Sequence, residues 1–296
     1  MQIGFVGLGQ MGKPMALNLA ASQSLVVFDQ EKERCTPLVE KGARGADSLN
    51  DIAQADVVFL SLPASSIVEA VVCGKEGLLA MMKPGTVIVD TSTIEYAATL
   101  SISDRLRQAG IEFIDAPVSG MQARAEEGTL TMMCGGKKAL IDQLRPLLGK
   151  MASLIVHMGP TGSGQLAKLI NQLLFDINMA AIAEILPMAV KLGLDPETIG
   201  SVVNSGTGRS YASEFFIPNI LQNSFSQGYP MKNAYKDLIS GAEISARYNI
   251  PAPVLAAATT TYQQTLLAGH GECDKGAMIK LFEELLGVEF RAKKNC

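Results

Sequence analysis

The chain has no tryptophan and only two histidines, His157 and His270. A histidine-based metal centre would need both of them plus carboxylates, so no metal is expected. Five cysteines, Cys35, Cys73, Cys134, Cys273 and Cys296, are scattered, odd in number and never spaced Cys-x-x-Cys. That argues against a disulfide framework or a zinc site and for a reducing compartment. A strong excess of one charge is also missing. The 25 lysines and arginines face 29 aspartates and glutamates without clustering, so no nucleic-acid partner is expected. No basic segment precedes the first apolar run, so a signal peptide is not expected. A transit peptide cut away earlier would leave no trace, and the cytoplasm is the expected location. Fully uncharged apolar stretches stay below about 18 residues, so neither a membrane span nor a membrane partner is expected.

What is present is apolar. Hydrophobic residues make up 48% of the chain and charged residues 18%, which marks a globular protein with ample core. At roughly 100–200 residues per domain, the length predicts two domains. The first half alternates short β-branched runs with helical patterns. "IGFVG" is followed by a helical pattern from Met11 to Ala21, and "LVVFD" (Leu25 to Asp29) by one from Glu31 to Lys41. "DVVFLSLP", "GTVIVDTST" and "IEFIDAPVSG" continue the series, and "TLTMMCGG" and "SLIVHMG" close it. This spacing predicts βαβ units and a mostly parallel sheet. After Gly159 only helical patterns remain: 163–191, 196–204, 211–222, 231–248, 253–268 and 275–286. Pro187 is expected to kink or end the first of them. The expected architecture is an α/β Rossmann-type domain over 1–160 and an all-α domain over 161–296, sharing one long helix.

Four stretches carry candidate chemistry. "GFVGLGQMGKPM" places Gly7, Gly9 and Gly12 as G-x-G-x-x-G between a strand and a helix, with Leu8, Gln10 and Met11 between them. The first glycine permits a tight turn, the second lets backbone approach a pyrophosphate, and the third lets helix and strand pack. The second strand ends at Asp29, which suits a ribose 2′-hydroxyl and repels a 2′-phosphate, favouring NAD over NADP. Leu62, Pro63 and Thr93 follow predicted strands on the ligand-binding edge of such a sheet. Position alone fits cofactor contacts and ordinary turns equally well. "DAPVSG" ends with Ser119 and Gly120, whose hydroxyl and N–H suit a carboxylate; a plain loop fits equally well. In "GSGQLAKLINQ", Lys168, Asn171, Gln172 and Phe175 share one helix face. A lysine in apolar surroundings must be paired or give up its proton easily, which suits a general base, although a solvated lysine is the plainer alternative. Lys236 and Asp237, in "YPMKNAYKDL", are neighbours that cannot share a face.

These motifs, in this order and over nearly the whole length, resemble the β-hydroxyacid dehydrogenase family. That family includes 3-hydroxyisobutyrate dehydrogenase, tartronate semialdehyde reductase and the glyoxylate/succinic semialdehyde reductases. The resemblance implies an active site between the two domains. It implies Lys168 as the catalytic residue, with Ser119, Gly120, Asn171 and Gln172 on the substrate and Asp237 in support. It further implies cofactor contacts from Leu62, Pro63, Thr93 and Lys236, a small hydroxy acid or semialdehyde acid as substrate, and a homodimer or homotetramer. The expected activity is NAD-dependent hydride transfer, with 3-hydroxyisobutyrate the family's commonest substrate and the semialdehyde reductases as alternatives.

Two departures bear on the substrate. Gly-Gly often follows the family's serine, whereas here it is Gly120-Met121. Arg124 stands where many members carry a small residue or proline, although a lysine, resembling tartronate semialdehyde reductases, also occurs there. It would pair with a second anionic group on a substrate if it reaches the site, and is otherwise a surface arginine. A decarboxylating activity of the 6-phosphogluconate dehydrogenase kind would need a longer helical domain and a basic phosphate cluster. A catalytically silent NAD-binding scaffold would have dispensed with Lys168.

Overall fold

A computed structural model of the chain describes residues 1–293, so Cys296 lies outside the described residues. The chain divides into two compact units, Met1–Lys168 and Leu169–Cys296, and the boundary falls inside a helix.

In the first unit nine strands form one sheet among the described residues. They are β1 (Ile3–Val6), β2 (Leu25–Phe28), β3 (Arg44–Gly45), β4 (Val57–Leu60), β5 (Val87–Asp90), β6 (Glu112–Asp115), β7 (Val118–Ser119), β8 (Leu130–Gly135) and β9 (Ala152–Gly159). The order is β3-β2-β1-β4-β5-β6-β8-β7, with β9 beside β8. Strands β3 through β6 pair in parallel, whereas β8 runs antiparallel to β6 and β7. The Rossmann-type expectation is met. Chain order reverses between β1 and β4, and the carboxyl ends flanking such a reversal are where open α/β sheets bind ligands.

The alternation of side chains decides how the sheet is covered. Val57 and Phe59 join the core on one face, and Val58 and Leu60 join the core on the other. All four are buried, as expected of parallel strands sandwiched between helices. Phe5 stacks on Phe59 across the β1–β4 pair, with ring centroids 6.0 Å apart.

Helix Ser163–Lys191 runs through Pro187 to its predicted end. Of the two outcomes expected of Pro187, a kink or an early end, the early end does not occur. Proline forfeits the one bond to the carbonyl of Ala183, while Met179, Ala180, Ala183 and Leu186 hold that segment in the core of the second unit. By length and composition this 29-residue helix is apolar enough to cross a membrane, which the uncharged-run criterion passed over. Asp176 is nevertheless fully buried on it, paired with Lys275 and accepting a hydrogen bond from the Tyr262 hydroxyl. Burial pushes the Asp176 carboxyl up to about 6, with Lys275 opposing. The Lys275 ammonium also lies 4.3 Å from the centre of the Phe175 ring. Helices Pro196–Ser205, Tyr211–Leu221, Met231–Arg247, Pro253–Leu267 and Ile279–Leu286 complete the second unit around Phe216, Tyr262 and Phe290.

Strand β5 ends on Asp90, which is fully buried. One carboxyl oxygen accepts the Ser92 N–H at 3.0 Å, and the other has no partner. Burial pushes this carboxyl from 3.8 up to about 7, and Asp115, its register partner on β6, adds to the shift. Because the folded chain keeps the proton longer than the unfolded chain, Asp90 contributes most to stability below pH 3.8, and that contribution falls as pH rises towards about 7. Asp90→Asn removes the titration. Its melting temperature at pH 8 is expected to exceed that of the wild type by a few degrees, and its decline from pH 5 to pH 8 to be shallower. Parallel melting curves for the two proteins across that range would refute the assignment.

Candidate active site

The three glycines of the first turn do different work. At Gly7, φ is +92° and a Cβ would sit 2.3 Å from the Ser61 carbonyl oxygen. At Gly12 a Cβ would sit 1.9 Å from the Gly7 carbonyl oxygen. Both positions are dictated by the fold. Around Gly9 nothing lies within 4 Å of where a Cβ would be, so this glycine leaves backbone open to something from outside the chain. Helix Gly12–Ala20 begins at this turn. Asp29 is buried at the end of β2 and accepts the N–H of Leu8 at 2.7 Å and of Glu31 at 2.9 Å. Each carboxylate oxygen keeps a lone pair for a further donor. Arg34, the nearest cation, is 2.8 Å from Glu31 and 3.8 Å from Asp29, so its charge is already engaged. An open glycine, helix amides and an acidic residue one strand over fit an adenine dinucleotide.

The neighbouring strand ends are tied together. The Leu62 N–H donates to the Ser92 hydroxyl at 2.8 Å, and the Thr91 hydroxyl donates to the Leu60 carbonyl at 2.6 Å. Leu62 and Thr93 are half-buried and Pro63 is exposed. The structure therefore brings Gly7 to Gly12, Asp29, Leu62, Pro63 and Thr93 to the carboxyl edge of one sheet.

Strand β6 ends on Asp115, whose carboxylate accepts the N–H of Gly162 at 2.7 Å and of Gln165 at 3.0 Å. These amides belong to the start of helix Ser163–Lys191. Side chains would not fit beside it: a Cβ at Gly135 would be 2.5 Å from Asp115 Oδ1, and one at Gly164 would be 2.8 Å from Oδ2. Gln165 completes the clamp. Its amide donates to the Ser92 carbonyl at 2.7 Å and accepts the Ile94 N–H at 3.2 Å. Lys168, less than one turn further on, is 9% exposed. It is thus a buried lysine on the helix that this clamp holds. Asp115, Gln165 and Ser92 were not singled out from sequence, because their partners lie 30 to 73 residues away.

Ser119 lies on β7, opposite Thr131 of β8. Two residues in succession then take positive φ: Gly120 at 142° and Met121 at 61°. The second is a strained setting for a residue with a side chain. Short helix Met121–Glu126 follows, and its Gln122 accepts a hydrogen bond from Gln10 of the glycine turn at 3.0 Å.

In the second unit Asn171 is exposed, and Gln172 donates a long 3.4 Å bond to Asp237. Asp237 is buried and Lys236 exposed on helix Met231–Arg247, so the two neighbours face different ways, as predicted. No group of three or more metal-ligating side chains occurs among the described residues.

Residues 2–159 match the model of the NAD-binding domain of 6-phosphogluconate dehydrogenase. Residues 162–282 match that of the NAD-binding region of NADP-dependent 3-hydroxyisobutyrate dehydrogenase. The chain is 40% identical to 2-(hydroxymethyl)glutarate dehydrogenase of Eubacterium barkeri, covering 97% of this chain and 96% of that one. It is 36% identical to the NAD-dependent L-serine dehydrogenase of Pseudomonas aeruginosa, covering 97% and 99%. Among solved structures, Mycobacterium tuberculosis 3-hydroxyisobutyrate dehydrogenase with L-serine superposes with a TM-score of 0.85 at 31% identity, covering 95% and 98%. With its Rossmann-type sheet, dinucleotide-binding turn and helical second unit, the chain belongs to the β-hydroxyacid dehydrogenase family of NAD-dependent oxidoreductases acting on CH–OH groups.

Proposed function

We propose that this protein oxidises the primary alcohol of a 2-substituted 3-hydroxypropanoate, with Lys168 as general base. The names of the relatives share one skeleton, HO–CH2–CH(R)–COO−. R is methyl in 3-hydroxyisobutyrate, ammonium in serine and carboxyethyl in 2-(hydroxymethyl)glutarate. Glycerate, the alcohol partner of tartronate semialdehyde, fits the same skeleton with R a hydroxyl. The observation that carries the reading is the burial of Lys168 on the helix that Asp115 and Gln165 pin to the ligand-binding edge of the sheet.

Ser119 and the Gly120 N–H hold the C1 carboxylate, and Asn171 and Gln172 orient the hydroxyl from the face they share with Lys168. NAD, bound over Gly7 to Gly12 with its ribose on Asp29, supplies the hydride acceptor. As the C–H bond breaks, the Lys168 amine takes the hydroxyl proton and the O–H pair becomes the carbonyl bond. Lys168 then returns the proton to solvent, and the reverse sequence reduces a semialdehyde.

Lys168→Ala should lower kcat by about 10²- to 10⁴-fold while NADH binding, followed by fluorescence, changes little. Turnover at the wild-type rate in that variant would remove the role. The engagement of Arg34 and the position of Asp29 support a preference for NAD. Asp29→Asn should raise KM for NAD and narrow the preference over NADP; an unaltered cofactor ratio would mean that Asp29 does not read the ribose.

Self-association is part of the proposal. Ile170, Leu174, Ile185 and Met188 are 59%, 57%, 49% and 47% exposed on the long helix, and their spacing puts them on one stripe. A continuous apolar stripe of this length fits a second copy of the chain. Light scattering after size exclusion should give at least a dimer, and Leu174→Glu with Met188→Glu should lower the mass towards one chain. A monomeric wild type at micromolar concentration would rule this out.

A further inference from the structure

We infer that Arg124 makes this enzyme selective for substrates whose C2 substituent ends in a second carboxylate. The inference rests on the proposed oxidation of 2-substituted 3-hydroxypropanoates and names R within that class.

The geometry begins at Gly120. A Cβ there would lie 2.9 Å from Arg124 Cβ and 3.0 Å from Arg124 Cδ. The aliphatic stem of Arg124 therefore runs across the α-carbon of the residue proposed to hold the C1 carboxylate. Glycine at 120 is what leaves room for it, and its φ of 142° is closed to other residues in any case. The backbone at Arg124 is fixed as well, its carbonyl accepting the Thr129 N–H at 2.8 Å.

The guanidinium at the end of that stem is exposed and makes no ion pair among the described residues. The two acids that follow it in the chain each accept a hydrogen bond from another residue. Glu126 accepts from Gln122 at 2.7 Å, and Glu127 accepts from the Thr129 hydroxyl at 3.1 Å. An exposed cation that makes no ion pair, beside the proposed carboxylate site, is placed to meet a ligand.

The dinucleotide is the rival ligand, and helix geometry separates the two. Gln122 reaches Gln10 of the glycine turn at 3.0 Å. Residues two apart on a helix leave it about 200° apart. Gln122 thus points to the dinucleotide side, and Arg124 to the Ser119–Gly120 side.

The chemistry then sorts R. A planar guanidinium binds a carboxylate through two parallel hydrogen bonds. It gives a methyl group nothing and repels the ammonium of serine. A short methylene chain between C2 and the second carboxylate matches an arginine whose stem already lies over the C1 site. The reaction is the one given above: a 2-(hydroxymethyl) dicarboxylate and NAD yield a 2-formyl dicarboxylate, NADH and a proton.

The test uses the full-length protein with NAD and four substrates differing only at R: methyl, ammonium, carboxyethyl, and carbamoylethyl, the neutral amide of the third. The wild type should prefer the carboxyethyl substrate to its amide by roughly 10- to 100-fold in kcat/KM. Arg124→Ala should collapse that ratio to near one, Arg124→Lys should restore part of it, and KM for NAD should stay as in the wild type. Turnover of the methyl substrate without preference for carboxyethyl over its amide would overturn the role of Arg124 alone. A ratio kept in Arg124→Ala would do the same. Absence of turnover with all four by the wild type would overturn the proposed oxidation, and this inference with it.

Discussion

The carboxylate of Asp115 is the point on which the rest of the site depends. It closes strand β6 and receives two amides from the start of the long helix. Two effects oppose each other there. Burial disfavours the charge, while the amides and the positive end of a helix favour it. Burial outweighs them, since the carboxyl is held above its ordinary value. The contact is retained despite that cost, and two glycines are spent on making room for it. What it secures is the phase of a helix. Lys168 follows Gln165 by three residues, so fixing the first turn of the helix fixes the direction of the lysine.

Buried carboxylates recur in this protein, and each is satisfied differently. Asp115 takes backbone amides. Asp176 takes the Lys275 ammonium and the Tyr262 hydroxyl on one oxygen and leaves the other unpartnered. Asp90 takes a single amide and likewise leaves an oxygen unpartnered. The order of satisfaction matches the chemistry available. A helix terminus supplies amides without further cost, an ion pair must be desolvated along with its partner, and a strand end between other strands has little to offer.

Much of this was legible in the chain. Runs such as "LVVF" and "VVFL" are β-branched and bounded by helical patterns, and they became parallel strands buried on both faces. The glycine turn could be read because its spacing is set by local sterics, which Gly7 and Gly12 display as near-collisions with backbone oxygens. The helical pattern already reached Lys191, but whether Pro187 would end it early was not legible, because tertiary packing is weighed against the local penalty. Nor were Asp115 and Gln165, whose partners are backbone groups of distant segments and leave no residue type to recognise. Arg124 stood out from sequence as a departure from a resemblance. Only the collision that a side chain at Gly120 would suffer tells where its stem lies.

The joint between sheet and long helix has a consequence for inheritance. In both directions it links a side chain to backbone: Asp115 reads the amides of Gly162 and Gln165, and Gln165 reads the carbonyl of Ser92 and the amide of Ile94. Backbone partners do not change when residues do. A lineage can therefore rewrite either surface one substitution at a time, so long as it keeps one aspartate, one glutamine and the glycines that give them room. Descendants should differ widely around this joint without the paired, compensating replacements that side-chain-to-side-chain contacts such as Asp176 with Lys275 impose.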